Sequence, residues 1–157
     1  MTTAQTVTTL EELKGMVGQE LGIGQWFEVT QERVNQFADV TGDHQFIHVD
    51  PERAKNTPYG GTIAHGYLTL SLSLMLQRER DGIQIQLPMK MAVNYGLNRV
   101  RFPNAVKVGK RIRSRTKLLN VEEVSPGVVQ LTQEVTIEVE GESKPAMVAE
   151  SLGRFYM

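Results

Sequence analysis

The sequence predicts an α+β fold in which an antiparallel sheet wraps around a long central helix. Three observations predict it. Helical patterns occupy the first half of the chain, and strand patterns follow one another through the second. Between them, Tyr67 to Arg80 runs for 14 residues without glycine or proline, longer than an ordinary strand.

The elements follow in order. A first helix is expected from Leu10 to Val17, capped by Thr8 or Thr9 with Glu11 or Glu12 three residues on, and ended by Gly18. An extended segment covers Leu21 to Val29. A second helix is expected from Gln31 to Thr41, with Thr30 as N-cap, Val34, Phe37, Ala38 and Thr41 on one side, and Gly42 at its C-terminal stop. Residues 43–65 read as irregular, apart from a helical turn started by Asp50-Pro51. The leucine-rich run from Tyr67 to Arg80 alternates as a strand would, but its length and its scarcity of β-branched residues favour a helix. Being apolar on most sides, it should be buried by its surroundings. Strands are then expected at Met91–Phe102, Arg111–Val121, Val128–Glu140 and Pro145–Tyr156, with turn residues between them. Gly96 should mark a bulge or a tight approach in the first of these.

Bulk properties narrow the chemistry. The length of 157 residues suits one domain, 1–157, and 40% hydrophobic against 22% charged residues is the balance of a globular protein able to bury a core. There is no cysteine, which removes disulfides, thiolate metal sites and thiol nucleophiles, and which suits a cytoplasmic location. A net charge of −1 argues against a nucleic-acid surface. The N-terminal residues lack the basic start and apolar run of a signal peptide, and no apolar stretch is long enough to span a bilayer. Basic residues crowd the stretch from Arg99 to Arg115, either as a solvated strand face or as a landing site for ligand phosphates.

All three histidines lie between residues 44 and 65. Asp43 and His48 offer a carboxylate and an imidazole in one loop, the outline of a general acid–base pair, although Asp43 as a turn cap and His48 as a satisfied buried group fit the spacing too. His65-Gly66 opens the long helix, where the Gly66 amide can stabilise a developing oxyanion; a plain helix entry is the alternative. His44 and His48 stand four apart, but Gly42 and Pro51 hem in that segment, so no metal site is expected there.

These residues also carry a resemblance. The run Phe37-Ala-Asp-Val-Thr-Gly-Asp-His-Gln-Phe-Ile-His-Val-Asp-Pro51 and the run Ile63-Ala-His-Gly-Tyr67 closely resemble the MaoC-like (R)-specific enoyl-CoA hydratases, also called hydratase 2. Residues 94–102 and 144–150 are similar to the single-domain bacterial branch, which includes nodulation-protein-N-like proteins and hydratases of polyhydroxyalkanoate precursor supply. The resemblance covers nearly the whole chain. It implies a hot-dog fold, a homodimer, and a coenzyme A thioester in a tunnel beside the central helix, with no cofactor beyond the coenzyme A of the substrate. It places the catalytic roles on Asp43 and His48 and the oxyanion amide on Gly66. Gln45 and His65 become supporting residues. Some members also carry a supporting serine farther along the central helix; counted from Gly66 that position is Leu74 here, and the nearby Ser71 is named as the candidate for its role. Arg99, Arg101 and Lys107 become candidates for the coenzyme A phosphates. The chain departs from the family in having Gln45-Phe46 where many members have Asn-Pro.

The activity so implied is (R)-specific, reversible hydration of a trans-2-enoyl-CoA thioester. Two rivals share the fold: an acyl-CoA thioesterase, and a non-catalytic acyl-CoA-binding protein. Thioesterases of this fold commonly place a carboxylate on or near the central helix, and Tyr67 to Leu76 contains none. A non-catalytic relative should lack Asp43 or His48, and both are present.

Overall fold

Local signals set the helices of the computed structural model, which describes residues 5–157. Residues 1–4, part of the N-terminal stretch read above as lacking a signal peptide, lie outside the described residues. After the short strand β1 (Thr6–Val7), α1 (Leu10–Gly15) begins at a reciprocal cap: the Thr9 hydroxyl accepts from the Glu12 amide, and Glu12 accepts from the Thr9 amide. It stops short of Val17, with Met16 as its C-cap. The expected extended segment divides into β2 (Glu20–Gly24) and β3 (Phe27–Glu28).

Helix α2 (Gln31–Thr41) has the expected bounds, with Thr30 accepting from the Arg33 amide at its start. At its end Gly42 takes φ 79°, a left-handed conformation that glycine adopts without the steric cost of a Cβ. Two single-turn helices follow, α3 (Phe46–Val49) and α4 (Pro51–Ala54), and Asp50 caps the second through the Arg53 amide. The region read as irregular is therefore more ordered than expected. The long helix α5 spans Gly66–Arg78, and the strands β4 (Arg80–Gly82) and β5 (Gln84–Ile85) come directly after it.

Four long strands complete the chain: β6 (Met91–Arg101), β7 (Arg111–Ser125), β8 (Val128–Val139) and β9 (Met147–Tyr156). The main sheet runs β4-β2-β7-β8-β9-β6, with β3 also on β7, and every pairing in it is antiparallel. The register of β6 against β9 shifts between Asn94 and Gly96, the expected bulge. Strands β1 and β5 pair in parallel as a separate small ladder.

The sheet curls around one side of α5. Leu68, Leu72 and Leu76, spaced i, i+4, i+8, pack with Ile112 of β7, Ile137 of β8 and Met147 of β9. Burying each such side chain stabilises the fold by about 1.5–3 kcal/mol. A second core, under α1, joins Leu13, Leu21, Leu118 and Leu131. Together these features form the hot-dog architecture. One expectation is corrected: α5 is not enclosed on most sides, since Tyr67 and Leu74 remain 71% and 44% exposed. The reason is geometric, because one sheet covers one stripe of a helix and leaves the opposite stripe open. Among the described residues, no helix is long and apolar enough to cross a membrane.

Candidate active site

The loop after α2 and the start of α5 meet through backbone ties. The Ile63 amide donates to the Ile47 carbonyl at 3.0 Å, and the Ala64 amide to the Val106 carbonyl at 2.8 Å. Segment 62–65 is thus laid between α3 and the stretch 106–108, which delivers His65 and Gly66 to the side of His48.

His48 is buried on α3, and its Nδ1 lies 2.7 Å from the Ile63 carbonyl oxygen. A carbonyl only accepts, so Nδ1 carries the hydrogen. In the neutral ring Nε2 is then left with a lone pair. Burial pushes the His48 pKa below the ordinary histidine value; the bond to Ile63 opposes this, neighbouring His65 lowers it further, and Asp43 raises it.

Asp43 is exposed, and its Oδ1 accepts from the Gln45 amide at 3.3 Å. His65 is buried beneath the pair. Its Nε2 is 2.9 Å from the Asp43 carbonyl, and its ring stacks on that of His48 with centroids 3.8 Å apart. Phe37 closes the other side of His65 at 4.9 Å. Asp43, His48 and His65 each present one ligand-type atom, and these atoms lie within 4.8 Å of one another.

Such a trio invites a metal, but its geometry suits proton handling better. Each histidine commits one nitrogen to a backbone carbonyl. The stacked rings are inclined by only 25°. An ion about 2.1 Å from a nitrogen of each ring would lie out of the plane of at least one of them, away from its lone pair.

A cavity of about 460 Å³ opens beside His48, with Ile63, Ala64, Gly66 and Thr69 on one wall and Phe102 to Lys107, Glu142 and Ala146 on the other. Gly66 is the first residue of α5, where backbone N–H groups lack intrahelical partners. A Cβ at Gly66 would sit 3.0 Å from the Phe102 ring, so a side chain there would crowd the cavity wall.

The structure thus brings Asp43, His48, His65 and Gly66 together. Gln45 precedes α3 and acts through its backbone: its amide holds Asp43, and its carbonyl accepts from the His48 amide at 2.9 Å. Ser71 is not brought to the site. It is exposed, and its hydroxyl bonds the Tyr67 carbonyl at 2.7 Å, because its position on α5 faces away from the cavity. Lys107 lines the cavity, whereas Arg99 and Arg101 stand exposed on β6 and do not. Further along the basic stretch the charges are matched: Arg111 pairs with Glu140, and Arg113 and Arg115 both pair with Glu138. A solvated, ion-paired strand face accounts for these three arginines.

Sequence reasoning missed Gln31 and Thr69. The Gln31 side chain donates to the His48 carbonyl at 2.7 Å and accepts from the Thr62 hydroxyl at 2.6 Å, pinning both site segments to the start of α2. Thr69 was hidden inside an apparently apolar helix. Its spacing of three from Gly66 was the available signal, since i and i+3 share a face.

Comparison with known proteins identifies the family and the fold. Residues 12–140 match the family model described as MaoC like domain. The chain is 49% identical over 151 residues to 3-hydroxyacyl-thioester dehydratase Z of Mycobacterium tuberculosis, covering 96% of this chain and 98% of that protein. It is 45% identical over 142 residues to nodulation protein N of Rhizobium leguminosarum bv. viciae, covering 90% and 87%. Among solved structures it is similar to the (R)-hydratase from A. caviae involved in PHA biosynthesis, with TM-score 0.67 and 26% identity over 87% of this chain and 94% of that one. The fold of the MaoC-like dehydratase from Rhodospirillum rubrum also matches, with TM-score 0.74 and 20% identity over 96% and 97% of the two chains. With the His48 imidazole and the helix-opening Gly66 lining one cavity, the Asp43 carboxylate close to His48, and these relatives, the chain belongs to the MaoC-like family and is a hydratase/dehydratase of the hydro-lyase class.

Proposed function

We propose that the protein catalyses the reversible, (R)-specific hydration of a trans-2-enoyl-CoA to a (R)-3-hydroxyacyl-CoA, with Asp43 and His48 activating the water. The observation that carries this reading is the approach of the Asp43 carboxylate and the His48 ring, within 4.8 Å, beside a cavity that also meets the Gly66 end of α5. Water is a poor nucleophile, and Cβ of an enoyl thioester is a modest electrophile. His48 Nε2 accepts one proton from the water while Asp43 holds it by hydrogen bonding, and the water oxygen bonds to Cβ. The alkene electrons move toward the thioester carbonyl, whose oxygen gains charge. The Gly66 N–H stabilises that charge, and losing one such donor typically costs about 10²–10³-fold in rate. The proton taken from water returns through the same pair to Cα, so one water is consumed and no electrons are exchanged. The reaction calls for no metal or redox cofactor. Lys107, on the cavity wall, meets the phosphates of coenzyme A.

The working unit in this reading is a homodimer. Among the described residues strand β6 pairs with β9 on one side only, and it exposes Met91, Val93, Tyr95 and Leu97. A free strand edge with an apolar row is a template for pairing, and a second copy supplies the complementary edge.

Crotonyl-CoA tests the reaction. Loss of enoyl absorbance without thiol release, and a product of R configuration, are expected; thiol release would identify a thioesterase instead. Asp43→Asn and His48→Ala should each fold and lose at least about 10²-fold in kcat. Near-normal turnover in either variant would remove that residue from the mechanism.

A further inference from the structure

The cavity wall formed by α5 carries a hydroxyl that the mechanism above does not use. Thr69 is one turn beyond Gly66 and lines the same cavity, yet it is only 3% exposed. Hydroxyls inside helices usually bond back to a carbonyl three or four residues earlier. Ser71 and Ser73 on the same helix do so, to Tyr67 at 2.7 Å and Leu70 at 2.6 Å. Thr69 does not. The His65 carbonyl within its reach already accepts from the Leu68 amide at 3.1 Å and the Thr69 amide at 3.2 Å. Among the described residues the Thr69 hydroxyl bonds no protein group, and it is not one of the fully occluded unpartnered atoms, which are His65 Nδ1, Arg80 Nε and Thr116 Oγ1. The small area it keeps therefore opens onto the cavity. Helical side chains lean toward the N-terminus, which carries this hydroxyl back toward the Gly66 turn. A nearly buried hydroxyl without a partner is costly unless an occupant of the cavity satisfies it.

We propose that Thr69 is a second hydrogen-bond donor to the thioester carbonyl of the substrate, completing with the Gly66 N–H a two-donor oxyanion hole. This rests on the hydratase reading and adds a substrate-contacting residue to it. The Gly66 amide is fixed by the helix, whereas the hydroxyl rotates about one bond to follow the oxygen as charge builds on it.

Thr69→Val keeps the shape and removes the donor; Thr69→Ser keeps the donor and removes a methyl. On crotonyl-CoA, Thr69→Val should lower kcat by about 10²-fold with KM little changed and thermal stability preserved, while Thr69→Ser stays near wild type. Wild-type turnover in Thr69→Val, or equal loss in both variants, would overturn the proposal; if Thr69→Val does not fold, Thr69→Ala against Thr69→Ser makes the same comparison. The infrared carbonyl stretch of bound butyryl-CoA reads the donor separately from turnover. It should lie at lower frequency in the wild type than in Thr69→Val or Thr69→Ala, and identical frequencies would overturn the assignment. A wild-type protein that binds butyryl-CoA with the expected shift yet does not hydrate crotonyl-CoA would instead refute the hydratase reading alone. Absence of binding would refute both.

Discussion

The two nitrogens of His48 have different surroundings, and in the proposed mechanism the difference sets the direction of proton transfer. Nδ1 is held by the Ile63 carbonyl, and burial disfavours the charged ring. A lowered pKa keeps Nε2 free as a base over more of the pH range. As pH falls through that lowered value, His48 gains a proton and loses the ability to take one from water. The acid limb of kcat/KM should therefore have its midpoint below the ordinary histidine value of about 6.5. A pH–rate profile checks this, and a midpoint above that value would contradict the environment described for His48. The same shift bears on stability. The unfolded chain protonates His48 more readily than the folded one, so this group leaves stability untouched above about 6.5 and lowers it as pH falls through the folded value. His44 behaves oppositely: its exposed ring bonds Asp39 at 2.8 Å, which raises its pKa.

At the scale of elements, the site depends on how α2, α3 and segment 62–65 are tied together. Gln31 is the common anchor, reaching both the His48 carbonyl and the Thr62 hydroxyl. Gln31→Leu leaves both groups without their partner, which should cost about 1–3 kcal/mol of stability and lower kcat by loosening the placement of His48. Thermal unfolding and steady-state kinetics would show it; a variant with unchanged melting temperature and kcat would remove Gln31 from this role. The element boundaries themselves were largely legible in the sequence. Thr30, Gly42 and Asp50-Pro51 act within one turn of their own positions, so their effect can be read from neighbours in the chain. Strand β7 outran its expected end because its last residues pair with β8, a partner that local pattern does not announce. Asp43, His48 and Gly66 were legible as candidates through their motif, whereas Gln31 and Thr69 were not, since each matters only through what it meets.

For the whole molecule, the exposure of β6 is the feature least like a finished surface. Every residue of this strand but Val100 is exposed, although it is one of the four long strands of the main sheet. On the opposite rim, β4 is three residues long and offers little to pair with. Dimerisation through β6 predicts that Tyr95→Glu or Leu97→Glu shifts the protein from dimer to monomer, as light scattering after size exclusion would report. A wild-type protein that is monomeric at micromolar concentration, or variants that stay dimeric, would refute this use of the edge.

What the sequence determined by itself was whatever has a local cause: caps, the period of each strand, the bulge at Gly96, and the clustering of Asp43 and His48 in one loop. Only the tertiary structure decided which nitrogen of His48 is free, that His65 stacks beneath it, and that Thr69 rather than Ser71 faces the cavity. These follow from contacts between segments far apart in the chain, such as His48 with Ile63 and Gln31 with Thr62. Such contacts are fixed by packing a helix against a curved sheet, and spacing along the chain does not encode them.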